Sequence, residues 1–302
     1  MRLLGFGDCT MDISLDDGMM YPGGQALNAA VNARLCGAEA GFLGCLGSDA
    51  PAAHILRTLD AIGVDHSRCR IFPVPNEYWY YVRMDGDRVF LPAEKLHKSP
   101  LTAAMRDMLA YEGLSAEDER YLDTFDVVHA SDAGRVESLL PALAARRPKL
   151  SFDLSQRYRD ANYLRQVCKY ADIVLLSCAG MAERDVAALL ASACEAGAEV
   201  ALATRGGDAA ICFDGRNYRA QPCVPGTRIT DTLGAGDAFI GAFLTRLFAR
   251  DPGPGAEGSR DIGEALVFAA HHAAKICDME GSFGYGTAWH AQPKMGEERK
   301  YD

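Results

Sequence analysis

No run of apolar residues in this 302-residue chain approaches the ~20 that a membrane-spanning helix requires. Ten cysteines are present, but no two form a CxxC pair, which argues against a metal cluster. Basic residues are in deficit: 31 Lys and Arg stand against 41 Asp and Glu, a net charge of −10. Neutralising a phosphate backbone needs the opposite balance, so nucleic acid is excluded as the main partner. The opening MRLLGFGDCTMD has no apolar core followed by a cleavage site, and no signal peptide is expected. Cys45, Cys168 and Cys212 lie in apolar runs and read as free buried thiols of a reducing cytoplasm. A composition 49% hydrophobic and 24% charged is that of a soluble globular protein, long enough for one large domain or two ordinary ones.

Apolar strand patterns alternate with helical ones for most of the length. Strands are expected at Leu3–Gly7, Gly41–Leu46, Asp126–Ala130, Leu150–Asp153, Ile173–Ser177 and Glu199–Thr204. Helices are expected at Gly24–Leu35, Ala52–Ile62, Val136–Ala145, Tyr163–Tyr170 and Glu183–Ala196, the first with Ala26, Ala29, Ala30 and Ala33 on a close-packing face. Strands spaced by helices imply βαβ units, a mostly parallel central sheet and a three-layer α/β/α fold in a single domain. One region breaks the pattern. NEYWYYVRMDGDRVFLP, residues 76–92, is aromatic and β-branched around the turn signal Asp85-Gly86. With residues 11–21 it reads either as a small separate sheet or as an edge hairpin packed on the core. Exposed Tyr78, Trp79, Tyr80, Tyr81 and Phe90 would form too apolar a patch for a monomer, which points to a homodimer through this element. Asp251–Ser259 reads as a flexible loop, and residues 290–302 as a flexible tail.

The most informative stretch is Asp231-Thr232-Leu233-Gly234-Ala235-Gly236-Asp237-Ala238-Phe239, followed by a helical apolar pattern. Gly234 and Gly236 allow a tight turn and a close approach to a ligand. The amides of Ala235, Gly236 and Asp237 then sit at a helix N-terminus, where free N–H groups and the helix dipole favour an anion such as a phosphate. An acid beside a phosphate site is costly unless it has a task, and taking a proton from an attacking hydroxyl is such a task. The plainer alternative is a Gly-rich helix start with Asp237 as a dipole partner.

This string, with Gly23-Gly24-Gln25-Ala26-Leu27-Asn28-Ala29-Ala30, resembles the two signatures of the ribokinase (PfkB-type) family of carbohydrate kinases, over nearly the whole chain. The resemblance implies a ribokinase-like fold with a small β lid over a sugar site, ATP and Mg2+ as cofactors, and Asp237 as catalytic base with Gly234, Ala235 and Gly236 as the anion cradle. It assigns Asp12, Gly23, Gly24 and Asn28 to sugar hydroxyls. Thr204-Arg205-Gly206-Gly207 resembles the family's turn beneath the nucleotide phosphates, although the usual later glycine is Ala209. The family's Asn-x-x-Glu motif is absent: Ser177-Cys178-Ala179-Gly180 stands there, Glu183 is offset, and a direct magnesium role for this segment is in doubt. The adenine pocket is implied at the loop 223–228 and the helix face of His271, Ala274 and Lys275, with Ser177, Thr204, Gly206 and Gly207 on the nucleotide side. Asp231, Leu233 and the backbone near Gly281–Ser282 resemble the monovalent cation (K+) site of many relatives.

The strand ends Phe125–Ser131 and Leu150–Ser155, with His129 and Asp153, look like those of fructoselysine 6-kinases within the family. The expectation is therefore an ATP-dependent kinase phosphorylating a hydroxymethyl group of a sugar or sugar-amine, with Tyr80 and Arg88 of the lid on the substrate. Glu77, Arg83 and Arg135 are further charges available to a zwitterionic ligand. A fructokinase, ribokinase or keto-deoxy-sugar kinase is the alternative; a catalytically idle sugar sensor is another, and a nucleoside-binding or vitamin-kinase protein with Trp79 and Tyr81 in an aromatic pocket is a third.

Overall fold

In the computed structural model, residues 1–84, 87–91, 101–225, 229–249 and 261–289 are described. The turn Asp85-Gly86, part of the 223–228 loop, the loop 251–259 and the tail 290–302 lie outside them.

Nine strands form the large sheet, in the order β13-β12-β11-β10-β9-β8-β1-β4-β5. They are β1 (Arg2–Gly7), β4 (Glu39–Leu46), β5 (Arg70–Ile71), β8 (Val127–Ser131), β9 (Lys149–Asp153), β10 (Ile173–Ser177), β11 (Val200–Arg205), β12 (Asp208–Phe213) and β13 (Tyr218–Gln221). From β11 through β5 neighbours run parallel; β12 and β13 turn back antiparallel at one edge. Both faces of such a sheet are buried, so consecutive apolar residues go to opposite cores. Leu3, Val127, Ile173 and Leu175 join one cluster, while Leu4, Val128, Val174 and Leu176 join the other.

On the first face lie α1 (Gln25–Leu35), α8 (Ala235–Leu247) and α9 (Ile262–Cys277), which supply Ala29, Ala30, Phe239, Phe243 and Leu266 to the core. The alanine face of α1 is buried as its spacing implies. A Cβ on Gly5 would meet the Ala26 carbonyl oxygen at 2.1 Å, so this helix rests directly on β1. On the second face lie α5 (Leu140–Ala144), α6 (Ala161–Cys168) and α7 (Glu183–Glu195). The helix expected over 136–145 is instead a short 3-10 turn, Glu137–Leu139, leading into α5, with Pro141 at its start. Further elements on the way are α2 (Ala50–Ile62), capped by Asp49 and ended by Gly63, then α3 (Ala103–Met108) and α4 (Ala116–Leu122).

The second sheet has the order β14-β3-β2-β6-β7, from β2 (Thr10–Ser14), β3 (Met19–Gly23), β6 (Tyr78–Met84), β7 (Asp87–Leu91) and β14 (Thr287–Ala288). Its register sets Asp12 opposite Trp79 and Tyr21, and Ile13 opposite Tyr80 and Met20. Opposite partners share a face. Met11, Ile13, Tyr78 and Tyr80 therefore face a cluster with Leu27, Ile55 and Leu59. The expectation of five exposed aromatics is corrected. Tyr78 and Tyr80 are buried by this packing, Tyr81 is buried on the other face against Arg88 and Phe90, and Trp79 and Phe90 alone of the five remain exposed, both at 42%.

Candidate active site

The C-terminal ends of β1, β8 and β9, the start of α1 and the start of α8 converge on one cleft edge. Gly234 caps α8 with φ 70°, a left-handed conformation that suits glycine, and aims the first turn of the helix. A Cβ on Gly234 would come within 2.5 Å of Ser282, whereas one on Gly236 would meet nothing within 4 Å. The loop is thus closed behind Gly234 and open in front of Gly236. Leu233 N and Gly281 N donate to the Asp231 carboxylate at 3.0 Å each, which anchors the start of this loop.

Asp237 is buried, at 8% exposure, in the first turn of α8. Its Oδ2 accepts from Asn28 Nδ2 at 2.7 Å. Burial pushes its carboxyl up to about 7; the Asn28 amide opposes this, and the charges of Asp8 and Asp12 add to it. Asp12 is pushed up to about 6 by burial, against the pull of the Arg88 guanidinium. Thr10 Oγ1 donates to its Oδ1 at 3.1 Å. Gly23 is required beside it, because a Cβ there would lie 2.2 Å from Asp12 Oδ2. Asp153, at the end of β9, is held well above the usual carboxylate range by burial and then by the charge of Asp237. Asp8, Asp12, Asp153 and Asp237 thus share one field, and they do not all ionise together.

Asp8 was not singled out from the sequence. It accepts from Gln25 N at 2.5 Å, Ala26 N at 3.2 Å and Ser131 Oγ at 2.8 Å, so it ties the end of β8 to the start of α1 just past Gly24. The usable signal was an acid directly after the glycine that ends the first strand. Trp79 flanks Asp12 in register on the same face.

Other expected residues are placed differently. Tyr80 lies on the far face of the second sheet, 6.4 Å between ring centroids from Trp289, and does not reach Asp12's side. His129 is fully buried within β8, Nδ1 3.0 Å from Ser151 Oγ, and burial depresses its pKa to about 3. It is a neutral ring beneath the cleft. Arg88 stacks on Tyr81 with its guanidinium carbon 3.9 Å from the ring centroid, and ion-pairs with Asp231. Of the residues expected to bind nucleotide, Ser177 and Thr204 are register partners at the ends of β10 and β11, and Gly206 and Gly207 make the turn into β12. His271 and Lys275 are exposed and one turn apart on α9, while the neighbouring His272 is partly buried against Asn32 Oδ1 at 2.8 Å.

The model of the pfkB family carbohydrate kinases matches residues 10–283. The chain belongs to that family. This carbohydrate kinase is 35% identical over 301 residues to the fructosamine kinase FrlD of Bacillus subtilis, covering 99% of both chains. It is 28% identical over 242 residues to the fructoselysine 6-kinase of Escherichia coli K12, covering 80% of this chain and 87% of that one. Among solved structures, Arabidopsis thaliana ribokinase in complex with ribose and ATP superposes with a TM-score of 0.73 at 17% identity, over 93% of each chain. The ribokinase-like fold expected from the two glycine signatures is therefore the fold observed.

Proposed function

We propose that this sugar kinase transfers the γ-phosphoryl group of ATP to the 6-hydroxymethyl group of a fructosamine, a fructose joined through an amine to an amino acid. The observation that carries this reading is the full-length likeness to a fructosamine kinase. The cleft chemistry fits it. Asp237, with its carboxyl near 7, takes the proton of the attacking hydroxyl, and Asn28 fixes the carboxylate's orientation. The amides of Gly236 and Asp237 in the first turn of α8, with open space in front of Gly236, hold the phosphoryl oxygens as charge grows on them. Asp12 accepts from sugar hydroxyls, and Trp79 offers an apolar face to the sugar's C–H side. Ser177, Thr204, Gly206 and Gly207 line the path of the triphosphate, with His271 and Lys275 near the base.

Among the described residues no group of three or more acidic, His or Cys side chains is arranged to hold a metal ion. Magnesium, implied by the family resemblance, would come with the triphosphate and offset part of its charge. A monovalent cation fits poorly at Asp231 and Leu233, since Arg88 and two backbone amides already occupy that carboxylate. A homodimer through the second sheet is favoured by the exposed Met84, Val89 and Phe90. Ten unpaired cysteines fit the cytoplasm.

The test is a panel of fructoselysine, glucoselysine, fructose, ribose and adenosine, read by ADP release, with the product's phosphate located by phosphorus NMR. Fructoselysine is expected to lead by roughly a hundredfold in kcat/KM, the scale of two lost polar contacts. Fructose or ribose turned over as efficiently overturns the substrate assignment.

A further inference from the structure

A narrow cavity lies beside Asp8, past the end of β1, walled by Cys9, Glu77, Arg106, Leu109 and Arg135. Its charges are paired more loosely than those on the second sheet. Arg83 is engaged by Glu280 and Asp17, and Arg88 by Asp231. Glu77, in contrast, is one carboxylate between two guanidiniums that hold it loosely: Arg135 Nη2 at 3.3 and 3.5 Å, and Arg106 Nε at 3.8 Å. The buried Arg106 Nε makes no hydrogen bond. Arg135 holds a left-handed backbone, φ 51°, in the turn after β8, a conformation that costs a non-glycine residue energy and is found at ligand-binding turns. With Asp8 also in the wall, two acids stand against two guanidiniums, and neither guanidinium closes a tight pair with the half-buried Glu77.

Position matters as much as charge. Tyr111 belongs to the core on one face of the large sheet and Leu109 packs against it, whereas α8, which carries Asp237, packs on the other. The cradle and the cavity thus approach Asp8 and the sugar site from opposite layers. In a fructosamine, the C6 hydroxymethyl group and the C1 amine are at opposite ends of the sugar. With C6 at Asp237, the arm on C1 leads away from α8.

We propose that Glu77, Arg106 and Arg135 form a subsite for the zwitterionic amino-acid end of the substrate's arm. The two arginines take its carboxylate, and Glu77 takes its ammonium. This subsite rests on the fructosamine reading above. Binding exchanges the loose internal pairs for charge-assisted hydrogen bonds to ligand, so no charge is left stranded in either state. Free hexoses leave the internal pairs as they stand and gain nothing from them.

The test compares two conjugates of the same sugar: fructose on the ε-amine of lysine, and fructose on n-pentylamine, which has the arm without the zwitterion. Wild-type protein is expected to prefer the lysine conjugate at least tenfold, mainly through KM. Arg135→Gln and Glu77→Gln are expected to bring that ratio towards one, with Arg135→Lys restoring part of it. The KM for ATP and the melting temperature report folding independently. A ratio unchanged in Arg135→Gln and Glu77→Gln, or equal use of both conjugates by wild type, overturns the subsite and leaves the fructosamine reading standing. No phosphorylation of either conjugate by wild type, with turnover of a free sugar, overturns both.

Discussion

Asn28 Nδ2 donates to Asp237 Oδ2 across 2.7 Å, joining two residues 209 positions apart in the chain. The contact links the first turn of α1 to the first turn of α8. It also holds one carboxylate oxygen, leaving the other to face the acceptor hydroxyl that we propose it deprotonates.

Asp237→Asn is expected to reduce kcat by at least ~10²-fold while leaving sugar affinity within a few fold, the pattern of a lost general base. Steady-state kinetics and calorimetric sugar titration measure the two effects. Turnover within threefold of wild type removes Asp237 from the role.

The same residue sets two pH dependences. A base must be ionised, so kcat/KM is expected to climb about tenfold per pH unit below pH 6 and level off above about 7. Stability runs the other way. The folded carboxyl sits at about 7 against an ordinary 3.8, so its contribution is full below pH ~4 and is lost as pH rises through 7. Three units at about 1.4 kcal/mol each put a ceiling of about 4 kcal/mol on that loss. Asp237→Asn should therefore melt higher than wild type at pH 8 and converge with it at pH 4. A variant that melts lower than wild type at pH 8 contradicts burial as the cause.

Arg88 and Asp231 are expected to behave as a buried pair, with side chains 4% and 0% exposed. Arg88→Met strands the Asp231 carboxylate and should cost on the order of 3 kcal/mol in urea unfolding. Adding Asp231→Asn should recover part of that loss rather than add to it. Additive losses would mean that the two side chains are not coupled.

Trp79 and Tyr80 are adjacent in sequence but face opposite sides of β6. Trp79→Ala should raise the KM for sugar about tenfold without moving the KM for ATP, since it removes an exposed ring beside Asp12. Tyr80→Ala empties a core position and should cost ~3 kcal/mol of stability, with sugar KM little changed if folding is maintained. The reverse pattern would overturn the facing of the strand.

Much of the fold was legible in local pattern. Strands such as 173–177 and helices such as 183–195 carry their own periodicity, and the glycine strings mark the starts of α1 and α8. The hairpin of β12 and β13 was not legible, because its short, mixed-polarity strands are specified by pairing to β11 rather than by their own residues.

The residue types at the site and their order along the chain were determined by sequence alone: early glycines, a late GAGD, acids at strand ends. Which side chains meet was decided only by the tertiary structure. Asp8 bridges β8 and α1, Trp79 rather than Tyr80 stands beside Asp12, and Arg88 pairs with Asp231. The reason is physical. Face in a strand follows from register, and register is set by partners distant in the chain. A carboxyl near 7 is likewise a property of burial, which no residue carries until the layers pack around it.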